Sequence, residues 1–382
     1  MKGIKRRPRV LIDSFLLIQA LTGIRTYTTQ LCKGLEALEQ EEVEYVIYPN
    51  WRWLNETTFL RGKVNPFKKL LNHVLYFSWK QLCLPLIILF RRIDLVVAPD
   101  YLLPTVKFGA KGLSVVHDTF YWELDGAYNP LWRWYFLKSV NWGLSKRSGM
   151  IVTTQYIAEK ARKHVSDKLP ISVVYQAPSD LCYTDEEDLS SLGIPKDASY
   201  LLHVGLFERR KNLGVLIRAF AELKQQEFYQ DFYLVLAGSR AIGLLHDDYK
   251  ELKKLIEEKG LADSVIMPGF VPNQCLGNLY REAYAYVFPS KEEGFGIPVI
   301  EAMKSGIPVV VSDQPALLEV GADAVLSFAQ DDERALYKQL MTLADKDRYE
   351  AYVQKGQKRG ADFSNSAFIN QFHKAVLKQL KS

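Results

Sequence analysis

The chain has 382 residues, 48% of them apolar and 24% charged, with 49 Lys+Arg against 44 Asp+Glu and a net charge of +5. That balance excludes a chain disordered throughout, and 23 Gly with 16 Pro are too few for collagen-like or low-complexity sequence. The length suits two domains of ordinary size, each able to bury a core.

At the N-terminus, Lys2, Lys5, Arg6, Arg7 and Arg9 precede the apolar stretch Val10–Leu21, the charge order of a signal peptide. Asp13 and Ser14 interrupt that stretch early and no small-x-small cleavage site follows, so Val10–Asp13 reads as a first buried strand. Further short β-branched runs follow at Val43–Tyr48, Leu95–Ala98, Leu113–His117, Met150–Thr153 and Ser172–Tyr175. A second set runs Tyr200–Gly205, Tyr233–Ala237, Ser264–Met267, Tyr284–Phe288 and Pro308–Ser312. Helical patterns alternate with these runs, which predicts parallel sheets covered on both faces. The expected class is α/β: two Rossmann-like, doubly wound domains facing one another across a cleft. The first spans residues 1–177, a linker with Pro178, Pro195 and the acidic run Asp185–Asp188 spans 178–198, and the second domain spans 199–361. Residues 362–382 form an amphipathic helix expected to cross back to the first domain.

Charge divides unevenly. Residues 1–180 hold 25 Lys+Arg against 15 Asp+Glu, so +10, and the remainder holds 24 against 29, so −5. A basic first half suits an anionic partner, either a phosphorylated substrate or a membrane face. Within it, Pro66–Arg92 sets Lys68, Lys69, Lys80, Arg91 and Arg92 around Leu70, Leu71, Val74, Leu75, Tyr76, Phe77 and Trp79. Two readings stand side by side: a helix docking peripherally on an anionic membrane, or a helix packed on its own sheet with solvated charges at its ends. Leu82–Phe90, the longest other greasy run, contains Pro85 and falls far short of the roughly 20 apolar residues a spanning helix needs. No membrane crossing is expected. Cys32, Cys83, Cys182 and Cys275 are widely spaced, as are the six histidines, so neither a disulfide framework nor a protein-bound metal is expected and the thiols read as reduced and cytoplasmic.

Four constellations carry chemistry. Tyr284–Phe288 runs into the string Pro289-Ser290-Lys291-Glu292-Glu293-Gly294-Phe295-Gly296-Ile297-Pro298, with Pro298 suited to a first helical turn and Gly306 to the end of that helix. A strand, a glycine turn and a helix start leave backbone N–H groups and a positive dipole end aimed at one spot, an anion site. Glu293 at the turn and Glu301 along the helix suit hydrogen bonds from sugar hydroxyls better than a hydrolytic carboxylate pair. Leu201–Gly205 leads likewise into Arg209, Arg210 and Lys211, with Asn212 as the expected N-cap. Three cations there would meet a departing diphosphate. In the first half, Thr22-Gly23 begins a helix where backbone can approach a phosphate. His117-Asp118 ends a buried strand at the edge where open α/β sheets bind ligands.

Taken together these residues resemble the retaining glycosyltransferases of family 4, which have the two-domain GT-B fold. The hallmark Glu-x7-Glu motif stands as Glu293 to Glu301; Arg210-Lys211-Asn212 matches the basic clamp, and Gly23 and His117-Asp118 match the first-domain glycine loop and His-Asp pair. The resemblance covers nearly the whole chain. Leu206 stands where many members carry Arg, and Thr22 where many have a second glycine. The resemblance implies a hexosyltransferase that takes a nucleotide-diphosphate sugar and extends a glycan or lipid-linked acceptor. It implies that Glu301 holds the ribose, Glu293 the donor sugar, and the backbone of Gly294, Phe295 and Gly296 the sugar and phosphates. Arg210 and Lys211, helped by Gly23, would neutralise the leaving diphosphate, and His117 would lie near the reacting carbon. It also implies metal independence and no cofactor, the nucleotide sugar being substrate; base selection would fall to Gly269-Phe270-Val271. Nucleic acid is not an expected partner. A nucleotide-sugar epimerase, a phosphorylase or a non-catalytic partner subunit on the same architecture are the alternatives. A NAD-dependent dehydrogenase is disfavoured because no strand leads into G-x-G-x-x-G.

Overall fold

The computed structural model describes residues 6–20, 23–57, 66–123, 130–144, 147–184, 189–240 and 247–382. The chain forms two compact units, Met1–Pro178 with Ser364–Ser382, and Ser179–Phe363. The first holds β1 (Arg9–Asp13), β2 (Glu44–Tyr48), β3 (Leu95–Ala98), β4 (Lys111–Val116), β5 (Ser148–Val152) and β6 (Ile171–Val173) in one parallel sheet ordered β2-β1-β3-β4-β5-β6. The second holds β7 (Tyr200–Val204), β8 (Tyr233–Ala237), β9 (Val265–Gly269), β10 (Ala285–Phe288), β11 (Val309–Ser312) and β12 (Leu326–Phe328), ordered β12-β11-β10-β7-β8-β9 and again parallel. Central strands such as β3, β5 and β10 are buried at every position, because helices cover both faces of each sheet. Strand β12 was not expected: its Leu-Ser-Phe alternation is three residues on a sheet edge, too short for a periodic signal.

In the second unit the strand order reverses between β7 and β10, which are neighbours with Leu201 opposite Ala285. Loops leaving the carboxyl ends of two such strands flank the crevice where α/β sheets bind ligands. Residues 179–184 and 189–198, expected as linker, belong to this unit, where Leu189 and Ile194 are buried. The run Asp185–Asp188 lies outside the described residues.

In the first unit the helix Asn365–Lys381 packs on Gly23–Ala37. Asn365 donates to the Gln30 side chain (2.6 Å), and Ile369 comes so near Gly34 that a Cβ there would sit 2.2 Å from its Cγ1.

Pro66–Ser78, a π-helical turn Trp79–Cys83 and Leu84–Phe90 form one continuous helix. Its stretch Leu70–Phe90 is long and apolar enough to cross a membrane by length and composition, which the sequence reading of Leu82–Phe90 alone did not anticipate. Pro85 does not break it: the ring falls just after the wide π turn, where the i→i−4 ladder is already interrupted. Lys80 also departs from expectation. Instead of flanking an apolar face it is buried, its Nζ donating to Asp13 Oδ2 and Asp100 Oδ1, each at 2.6 Å. Burial disfavours its charge, but the two carboxylates outweigh that and raise its pKa.

Candidate active site

The basic loop follows β7. A single 3-10 turn, Arg209–Lys211, precedes the helix Leu213–Leu223. Asn212 occupies the N-cap position without a side-chain capping bond; it adopts the left-handed conformation (φ 55°), which turns the chain sharply into the helix. Asn212 Nδ2 is buried and has no hydrogen-bond partner in the protein.

The glycine turn follows β10. Gly296 has φ 101°, and a Cβ there would lie 2.8 Å from Leu317, so the turn requires glycine on both conformational and steric grounds. Ile297–Lys304 then starts with Pro298 in its first turn and gives way to Gly306 at φ 79°.

The two loops meet through charge. Glu293 Oε1 accepts from Lys211 Nζ (2.7 Å) and Arg210 NH1 (2.8 Å), although the residues are 82 and 83 positions apart. Arg210 also donates to the Glu292 carbonyl (3.0 Å) and pairs with Glu208 (2.7 Å), and its own carbonyl accepts from the Lys291 N–H (2.8 Å). Gln314, which caps the helix Pro315–Gly321, fixes the turn from the other side by donating to the Glu293 carbonyl (3.1 Å). Lys211 Nζ lies 4.4 Å from the centroid of the Phe288 ring. Burial would raise the Glu293 carboxyl, but Lys211 and Arg210 overcome it and hold the pKa below the usual carboxylate value. Lys211 is shifted down, by burial first and Arg210 second, against the pull of Glu293. The result is a corner in which two cations, Arg210 and Lys211, are held side by side by Glu293 and Glu208 at the carboxyl ends of β7 and β10.

Glu301 lies beyond the turn, on the helix Ile297–Lys304, in a different environment. It is buried, accepts from the Tyr280 hydroxyl (3.1 Å), and has its pKa raised by burial against hydrogen bonds from Tyr280 and Ser179. Such a carboxylate is an acceptor held among neutral donors rather than a paired anion. Two residues behind the corner were not singled out from the sequence. His203 is fully buried at the end of β7, its Nδ1 3.0 Å from the Val287 carbonyl and its ring stacked on Phe288; Gln314 is the turn's capping side chain. His203 sits one strand from the turn but 90 residues before Glu293 in sequence, so only the β7–β10 pairing reveals it. At the carboxyl end of β9, Gly269 is left-handed (φ 79°) and Phe270 is 74% exposed.

In the first unit the helix opened by Gly23 reaches His117 through Tyr27. Gly23 opens its helix with nothing within 4 Å of where a Cβ would stand, while Thr22 lies outside the described residues. One turn on, Tyr27 meets the His117 ring edge-on at 4.8 Å. His117 Nε2 lies 2.7 Å from the Pro99 carbonyl, which assigns the ring proton to Nε2 and leaves Nδ1 as acceptor. Burial lowers its pKa to about 4, so the ring is neutral at pH 7. Asp118 caps the short helix Phe120–Glu123 through the Phe120 N–H (3.1 Å).

Two parallel, doubly wound α/β units, the second with the Glu293–Lys211–Arg210 corner and a glycine turn at its strand reversal, define the GT-B fold. The comparisons agree. The family model described as glycosyl transferases group 1 matches residues 184–359, nearly the whole second unit. The chain is 28% identical over 329 residues to the O-antigen chain mannosyltransferase RfbU of Salmonella typhimurium, covering 84% of this chain and 83% of that protein. It is 34% identical over 166 residues to the O-antigen chain mannosyltransferase B of Escherichia coli, an alignment spanning 43% of this chain and 42% of that relative. Among solved structures, sucrose-phosphate synthase from Thermosynechococcus elongatus superposes with TM-score 0.69 at 20% identity, over 98% of this chain and 99% of the other. WaaG, a glycosyltransferase involved in lipopolysaccharide biosynthesis, does so at 0.65 and 15%, over 96% and 99%. Residues 184–359 of the chain thus carry the signature of the glycosyl transferases group 1 family, and the RfbU alignment extends the similarity over most of the chain.

Proposed function

We propose that the chain is a family 4 hexosyltransferase that moves a sugar from a nucleotide-diphosphate donor to a hydroxyl of a glycan or lipid-linked acceptor, with retained configuration and without a metal. The setting is cell-surface polysaccharide or lipopolysaccharide synthesis, in the cytoplasm at the inner face of a membrane; the two O-antigen mannosyltransferases favour mannose as the hexose. The observation that carries this reading is the Glu293–Lys211–Arg210 corner at the β7/β10 reversal.

In this mechanism the acceptor oxygen bonds to the anomeric carbon on the face that the diphosphate leaves. The C–O bond to phosphate breaks, and the acceptor's proton ends on the departing phosphate oxygen, so no protein nucleophile is needed. Arg210 and Lys211 stabilise the charge that grows on the diphosphate, and Gly23 adds a backbone contact. Glu293 orients those cations and binds the sugar hydroxyls. The N–H groups of the Gly294–Gly296 turn steady the sugar, and Glu301 takes the ribose hydroxyls. Neutral His117 offers Nδ1 as an acceptor beside the sugar, and Phe270 offers a ring to the base.

The test is transfer with nucleotide hexoses and a glycan acceptor, with the product anomer read by NMR and circular dichroism checking the fold. Lys211→Ala and Glu293→Ala are expected to lower kcat by roughly 100-fold or more, the scale of losing one preorganised electrostatic contact. Near-native turnover in either variant, or an inverted product, would overturn the assignment.

A further inference from the structure

The continuous helix of residues 66–90 uses one side to hold itself to the first unit and leaves the other bare. Tyr76, Lys80, Leu84 and Ile88 recur every four residues on the buried side. On the other, Leu70, Val74 and Phe77 are exposed before the π turn, Leu82 within it, and Leu86 and Leu89 after it. Each trio has spacing i, i+4, i+7. The gap of five between Phe77 and Leu82 is one residue more than an α-turn allows, and the π turn absorbs it, so the apolar row stays on one line.

Alongside runs the helix Pro130–Gly143, in contact through Trp132 on His73 (4.3 Å) and Tyr135 on Phe77 (5.8 Å). It exposes Leu131, Trp134, Lys138 and Trp142 at spacings of three, four and four. Tryptophan and lysine among exposed aliphatic side chains suit the boundary between headgroups and acyl chains.

At the carboxyl end of the apolar row the same unit has a surface pocket of about 590 Å³. Four cations line it, Arg6, Arg92, Lys111 and Arg147, against Asp94, and Leu89 of the row and exposed Phe108 complete it. Asp94 is already engaged by the Arg6 guanidinium (2.9 Å), so a net positive charge remains. Arg147 and Lys111 are anchored by backbone carbonyls, of Gly109 (3.0 Å) and Leu380 (2.8 Å), which fixes them without neutralising them.

We propose that this two-helix face lies in the interfacial layer of a bilayer containing anionic lipid, and that the basic pocket at its end receives a lipid phosphate headgroup. The continuity of pocket and row through Leu89 is what favours a lipid over a soluble anion, since acyl chain and phosphate are then met by adjoining surfaces. The inference deepens the membrane-side setting proposed above and does not depend on the transfer chemistry.

Sedimentation of the full chain with phosphatidylcholine vesicles, with and without phosphatidylglycerol, tests it. Binding is expected to require the anionic lipid and to weaken with salt. Arg92→Gln with Arg147→Gln should weaken it by roughly five-fold per cation removed. Leu86→Glu with Phe90→Glu, both at exposed positions, should abolish it while thermal unfolding and donor transfer to a soluble acceptor stay unchanged. Equal binding to both vesicles would overturn the headgroup site. Inorganic phosphate at millimolar concentration protecting Arg147 from modification as well as vesicles do would make the pocket a small-anion site and overturn the lipid assignment. A self-association in sedimentation velocity that Leu86→Glu dissolves, with no vesicle binding by the parent chain, would give the face to a second copy instead.

Discussion

His117 and His203 are each buried as neutral rings, one per unit, with pKa values lowered by burial to about 4 and about 3. Unfolded, they take up protons near pH 6.5. Between those limits the unfolded chain binds protons that the folded chain refuses, so stability is complete above about pH 6.5 and falls as pH drops toward about 4. Glu293 acts in the same direction. Its carboxyl is held below the usual range, so its contribution is present at neutral pH and fades as pH falls through the folded value. Urea unfolding of the first unit at pH 7.5 and at pH 5 should therefore differ by about 2 kcal/mol from His117 alone, using about 1.4 kcal/mol per pH unit below 6.5. A His117→Gln variant should flatten that dependence; an unchanged slope would mean that the ring is not held neutral. His117 was legible from its place at a strand's carboxyl end. His203 was not, because what distinguishes it is a carbonyl on β10, 84 residues away.

At the scale of elements, patterning recovers eleven of the twelve strands among the described residues, because their β-branched runs are buried on both faces and interrupted by helices. The burial of Lys80 is not legible in such patterning. A lysine scores as polar wherever it stands, while its partners Asp13 and Asp100 lie 67 and 20 residues away at the ends of β1 and β3. The π turn was invisible for the same reason, since only the folded packing shows that the exposed row needs one extra residue at that point. Replacing Lys80 by Met keeps the bulk but strands two buried carboxylates, and the expected loss is about 3–5 kcal/mol in urea unfolding. Adding Asp100→Asn to Lys80→Met should recover part of it, because one unpaired charge is gone. Additive losses in the double variant would show that the pair is not coupled. Gly296 makes the complementary case: its need for a left-handed turn is local, and a glycine-rich string between strand and helix announces it in the sequence.

For the molecule as a whole, the division of labour between the units rests on where the last helix docks. The amphipathic pattern near the C-terminus is readable, but its docking surface is not, since Gly34 and Ile369 are 335 residues apart and only a glycine admits the contact. Phe368, Phe372 and Val376 of that helix share a core with Tyr27, Leu31 and strands β1, β3 and β4. Tyr27 in turn touches both Phe368 and His117, so the helix Asn365–Lys381 supports the His117 ring. Phe372→Ala removes a fully buried ring from this core, and about 3–5 kcal/mol of stability should go with it. The loss belongs to one unit only. Hydrogen exchange should quicken at amides of Gly23–Ala37, β4 and Asn365–Lys381, while amides of β7 through β11 keep their protection. Quickening spread equally over both sheets would mean that the two units unfold as one, and the assignment of the C-terminal helix to the first unit's core alone would fail.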